Sequence, residues 1–173
     1  ALIVPLVIEQ ILSIAVGAAD TMMVSSAGEA AVSAVSLVDN VFVLLINLFA
    51  ALATGGAVIS GQYLGRRRPD VAQKAAEQLI LFTAVFSVLI MALTYFFRSF
   101  ILNVVFGKIE ADVMSGCTTY LMIVAASIPF IALYNTGAAL FRAMGDSRTA
   151  MFTALFMNGI NLVGNSILIF GLK

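Results

Sequence analysis

Histidine is absent from this 173-residue chain. That removes the Ser-His and Cys-His nucleophile pairs, the histidine zinc motifs and the commonest general base. One cysteine, Cys117, leaves no internal disulfide and no zinc-type spacing. Charge is scarce as well. Only 10% of the residues are Asp, Glu, Lys or Arg, against about a quarter in a soluble domain. The nine basic and nine acidic side chains cancel, so nothing draws the chain as a whole to nucleic acid. There is no G-x-x-x-x-G-K loop for a nucleotide phosphate, no serine in a G-x-S-x-G turn and no acid-rich metal motif. These gaps point away from an enzyme and from any resident cofactor.

Apolar residues take the vacated space. They make up 62% of the chain, and mean hydropathy is +1.09. So little polar surface cannot cover a water-soluble body of this size, and lipid is the implied solvent. Five apolar stretches are predicted as spans: Leu2–Val24, Ala30–Leu64, Val71–Phe97, Val113–Ala143 and Thr149–Phe170. Each is long enough for a hydrocarbon core of about 30 Å, which takes about 20 helical residues. The alternative, a β-barrel, requires alternation that runs such as ILFTAVFSVLIMAL lack. The expected fold is all-α, a polytopic transmembrane helix bundle. Gly55-Gly56 and Pro129 are the expected weak points of the two longest helices.

Positive charge sets an orientation. Arg66, Arg67, Arg68, Lys74, Arg142 and Arg148 flank the even-numbered loops. Arg98, Lys108 and the last residue, Lys173, fall on the other side, and the SSAGEA loop has none. Lys and Arg collect on the cytoplasmic side, so the amino end is predicted to be cytoplasmic in a multi-pass protein of the cell membrane. The Arg66–Arg68 run is foremost a topology signal, with contact to membrane lipid as an extra role. Tyr63 is placed near the inner boundary, and Tyr95 and Tyr120 near the outer one. Gly61-x-x-x-Gly65 has the small-residue spacing of close helix contacts. An opening inside an apolar run reads as a fragment rather than a signal peptide, and no repeat is visible within the chain.

Against this background three carboxylates stand out: Glu9 and Asp20 in the first span and Asp39 in the second. A charge at the bilayer centre costs about 2.5–3.5 kcal/mol on insertion scales, so such residues usually face a bundle interior or a watery cavity. Glu9 and Asp20, eleven residues apart, share one helix face about 16 Å long. The fifth span adds Asn158, Asn161 and Asn165, the last two on one face. Asn165 and Asp20 each lie five residues from the outer end of their span, hence at similar depth. A carboxylate with carboxamide oxygens suits a hard cation or a proton. Bonding between helices is the plainer role for asparagines such as Asn40, Asn47 and Asn158. Glu9, Asp39 and Asn158 are retained as polar groups lining a cavity.

The sequence resembles the multidrug and toxic compound extrusion (MATE) transporters, and most closely their bacterial efflux branch. The resemblance lies in Pro5 with AADTMMVSSAGEAAVSAVSL, in TGGAVISGQYLGR, in YLMIVAASIPFIALYNTGAALFRAMGDSRT and in NGINLVGNSILIFG. It implies a twelve-helix exporter of two six-helix lobes, expelling cationic or amphipathic compounds in exchange for sodium ions or protons. Residues 1–173 would be the amino-terminal lobe through its fifth helix, with the sixth helix and the carboxy-terminal lobe outside the chain. The family's coupling aspartate falls on Asp20, and its fifth-helix partners fall on Asn161 and Asn165. Some members carry an acid at the last position, where this sequence has asparagine. Two rival functions are a lipid-linked precursor flippase of related architecture and a non-transporting membrane subunit.

Overall fold

The computed structural model describes residues 3–26, 28–107 and 110–167, and side chains within these except those of residues 3–6 and 105. Helix α1 covers Ile3–Ser25, α2 Glu29–Gly65 and α3 Pro69–Phe96. A single turn, α4 (Arg98–Phe100), runs into a π-helical segment, Ile101–Val105. Helix α5 covers Ala111–Ala143 and α6 Ser147–Ser166. No strand occurs among the described residues. The predicted all-α bundle is what forms. Lys108, Lys173 and the expected end of the fifth span at Phe170 lie outside the described residues.

Helices α1, α2, α3 and α5 are long and apolar enough to cross a membrane. Helix α6, expected as a fifth span, does not meet that standard over its described residues. Its asparagines lower its hydropathy, and it packs along α1 instead of standing alone. The two expected weak points do not break their helices. Helix α2 continues through Gly55-Gly56. Helix α5 continues through Pro129, although proline returns no N–H to the carbonyl one turn before it.

The main seam joins α2 to α5. Helix α5 presents Cys117, Leu121, Ala125, Ile128, Ala132, Thr136 and Ala139, spaced by three or four residues. They meet Ala34, Val38, Phe42, Phe49, Ala53 and Ala57 of α2 in three stacked layers. Helix α3 closes this group against both. Small side chains let the backbones approach, which is how helices associate when the surroundings are as apolar as their own surfaces. A few buried hydroxyls add directional links. Ser60 Oγ donates to the Ala72 carbonyl at 2.9 Å, and Thr136 Oγ1 lies 3.2 Å from Thr83 Oγ1. Gly61 does make a close contact, with Ala143 of α5. Gly65, its partner in the expected motif, faces open space.

The turns follow from local chemistry. Gly145 closes α5 in the left-handed region at φ 86°, with its N–H donating to the Arg142 carbonyl and that of Asp146 to Phe141. Asp146 then caps α6, accepting from Thr149 N at 3.2 Å and Thr149 Oγ1 at 2.6 Å. Those two bonds hold its exposed carboxyl below the ordinary carboxylate range. The α2–α3 turn has the same hydrogen-bond pattern, but Arg67 occupies the left-handed position at φ 57°.

Candidate functional site

A cavity of about 430 Å³ opens where α1, α2, α5 and α6 converge. Asp20, Asp39, Tyr120, Asn161 and Asn165 all line it, along with the hydroxyl-bearing Thr21 and Ser36. Four helices are needed to assemble these groups, and both carboxylates are held by partners distant in sequence. Lysine and arginine are missing from its described lining.

Asp20 is gripped from α6. Asn165 Nδ2 donates to Asp20 Oδ1 at 2.8 Å. The Asn161 amide lies one turn earlier and faces the same carboxylate. With its nitrogen turned inward it donates to Asp20 Oδ2 at 3.1 Å. With its oxygen there instead, it accepts from Asn165 Nδ2 at 3.2 Å. A carboxamide can thus offer a bare carboxylate a donor, or a cation an oxygen, by turning about one bond. The three residues singled out from the sequence meet in one place.

The other three expected polar residues separate. Asp39 lines the cavity and accepts a hydrogen bond from the Tyr120 hydroxyl at 3.0 Å. Asn158 is half-buried on α6 but outside the lining. Glu9 is absent from the lining as well. It turns to α5, where Arg142 Nη1 lies 3.3 Å from Glu9 Oε1, while Glu9 Oε2 is buried without a partner. The continuous acidic edge expected along α1 is therefore split between two neighbours.

Sequence reasoning missed several of these partners. Arg142, expected as a topology charge beside the loop after the fourth span, sits in the last turn of α5 with its side chain two-thirds covered and paired to Glu9. Tyr95 and Tyr120, expected near the outer boundary, are both half-buried between helices and both bond across them. Tyr95 Oη donates to the Met122 carbonyl at 2.9 Å. At Tyr63 the Arg66 guanidinium lies over the ring, 5.9 Å from its centroid. No signal in the sequence joins Asp39 to a tyrosine 81 residues away.

A family model described as MatE matches residues 5–167. The chain is 32% identical over 168 residues to the Bacillus subtilis (strain 168) protein named uncharacterized transporter YisQ, covering 97% of this chain and 36% of that one. It is 26% identical over 161 residues to the probable multidrug resistance protein NorM of Aromatoleum aromaticum, covering 91% of this chain and 34% of that one. Among solved structures it resembles a multidrug resistance MATE family transporter of the MOP superfamily in an outward-facing conformation. That likeness has a TM-score of 0.87 at 25% identity, over 99% of this chain and 38% of that one. The chain thus spans about a third of the length of the relatives it matches.

Proposed function

Because the chain belongs to the MatE family, we propose that it works as part of a secondary active antiporter. In this reading it expels cationic or amphipathic compounds in exchange for sodium ions or protons. The observation that carries it is Asp20, a carboxylate on a membrane-length helix, held at 2.8 Å by Asn165 on the rim of a polar cavity. A carboxylate there is costly while bare and relaxes when a proton or cation neutralises it. Its occupancy therefore biases the packing of α1 against its neighbours, which is the differential binding that ion coupling requires.

Asp20 supplies the charge, and Asn161 and Asn165 supply either donors or oxygens. This donor set, one carboxylate with carboxamide oxygens and the nearby Thr21 hydroxyl, fits a hard monovalent cation as well as a proton. A second lobe would complete the transport path, in keeping with a chain that covers 36% of YisQ. The protein would sit in the cell membrane with its amino end in the cytoplasm, since Arg66, Arg67, Arg68 and Arg148 lie at the α2–α3 and α5–α6 turns.

The charge of the cavity separates this reading from a lipid-linked precursor flippase. A phosphate-bearing head group calls for basic lining, and two acids line this space instead. Reconstituting the whole transporter in vesicles and offering either a cationic dye or a labelled phospholipid under an imposed ion gradient decides between them. Gradient-dependent movement of the dye alone supports the antiporter. Movement of the lipid alone, or of neither, counts against it.

A further inference from the structure

The bundle divides into two packed groups, and the cavity lies on their seam. Helix α2 packs mainly on α5 and α3, whereas α1 packs mainly on α6; the two groups meet where α6 packs on α5 and, over a shorter stretch, α1 on α2. Each acid is bonded within its own group. Asp20 of α1 is held by Asn165 of α6, and Asp39 of α2 by Tyr120 of α5. The two carboxylates therefore approach one space from opposite groups, and Tyr120 lines that same space.

Charge balance gives this arrangement a consequence. Amide and phenol donors orient a carboxylate without cancelling its charge. The described lining holds Asp20 and Asp39 as its charged groups and Tyr120 as its one further titratable group, with no base among them. One monovalent ion leaves such a cavity with a net negative charge. Two leave it neutral, and a neutral pocket is the cheaper state between lipid-facing helices.

We propose that Asp39, positioned by Tyr120, is a second ion-carrying carboxylate of this cavity, so that the lobe loads two monovalent positive charges, as protons or sodium ions. This rests on the antiport reading of Asp20. On loading, Asp39 takes a proton or sodium ion from cavity water, and on release it returns the same charge. The Tyr120 hydroxyl donates to the bare carboxylate and, once Asp39 is protonated, its oxygen can accept instead.

The number of coupling ions is readable from steady-state accumulation. The whole transporter, in vesicles with the membrane potential clamped at zero, is given a tenfold ion gradient and a cationic dye. Each coupling ion then contributes about tenfold to the final dye ratio. Asp39→Asn is expected to lower that ratio about tenfold while gradient-driven movement continues, and Asp39→Glu to restore it. A wild-type ratio in Asp39→Asn, with a reduced one in Asp20→Asn, overturns the second site and leaves the Asp20 reading standing. An unchanged ratio in Asp20→Asn overturns both. If Asp39→Asn fails to fold, Tyr120→Phe serves in its place. It should keep the wild-type ratio while the ion concentration for half-maximal rate shifts about threefold or more. No shift there overturns the proposal.

Discussion

Asn165 Nδ2 and Asp20 Oδ1 lie 2.8 Å apart across 145 residues of sequence, and this bond ties the last described helix to the first. It also fixes where an otherwise costly carboxylate points. A hydrogen bond to a charged group contributes about 1.5–3 kcal/mol, so its loss should be felt in function. Asn165→Leu is expected to lower gradient-driven dye export about tenfold or more at unchanged protein abundance, measured in vesicles. Export at the wild-type rate would mean that the bond is only structural glue.

Glu9 and Arg142 make the partly buried ion pair between α1 and α5. Arg142→Met would strand a carboxylate that already has one unsatisfied oxygen. The expected cost is about 1–3 kcal/mol, visible as a lower unfolding midpoint in detergent. Glu9→Gln combined with Arg142→Met should recover part of it, because no uncompensated charge remains. Equal midpoints for the single and double variants would show that the pair is uncoupled.

Arg67 occupies a left-handed position that a side chain disfavours. Arg67→Gly is expected to stabilise the α2–α3 turn by about 1 kcal/mol. Arg67→Val should destabilise it. Thermal unfolding of the two variants checks the order, and Arg67→Asn, which tolerates this conformation, separates geometry from loss of charge.

Asp146 caps α6 through Thr149, and its carboxyl is depressed by those bonds. A group with a lowered folded-state pKa stabilises fully above its unfolded pKa and loses that effect as pH falls through the folded value. The contribution should therefore be constant from neutral pH down to the ordinary carboxylate range and fade below it. Asp146→Asn, still a capping residue, should flatten this acid limb in a pH series of unfolding midpoints. An identical limb in both proteins would count against the assignment.

Much of this architecture was legible because membrane helices advertise themselves by length and hydropathy. The expected Ala30–Leu64 and Val113–Ala143 lie within α2 and α5. Asp20 was legible because a carboxylate is expensive in lipid, and Asn161 and Asn165 because they share a face at its depth. The α2–α5 seam was not. In lipid both sides of a helix are apolar, so Phe130, 75% exposed, and Ile128, 2% exposed, look alike in sequence. The pairing of Arg142 was missed because an arginine near a helix end reads as a topology charge until its partner, Glu9, is seen. The bond from Tyr120 to Asp39 was not legible either, because the two are far apart in sequence.

The central claim is that Asp20 couples ion and dye movement. The most direct measurement is dye accumulation against its own gradient, in vesicles bearing the whole transporter with Asp20→Asn. The account predicts that accumulation under an imposed tenfold sodium or proton gradient falls about tenfold or more while the protein remains folded in the membrane. Accumulation equal to that of the unmodified protein would contradict it.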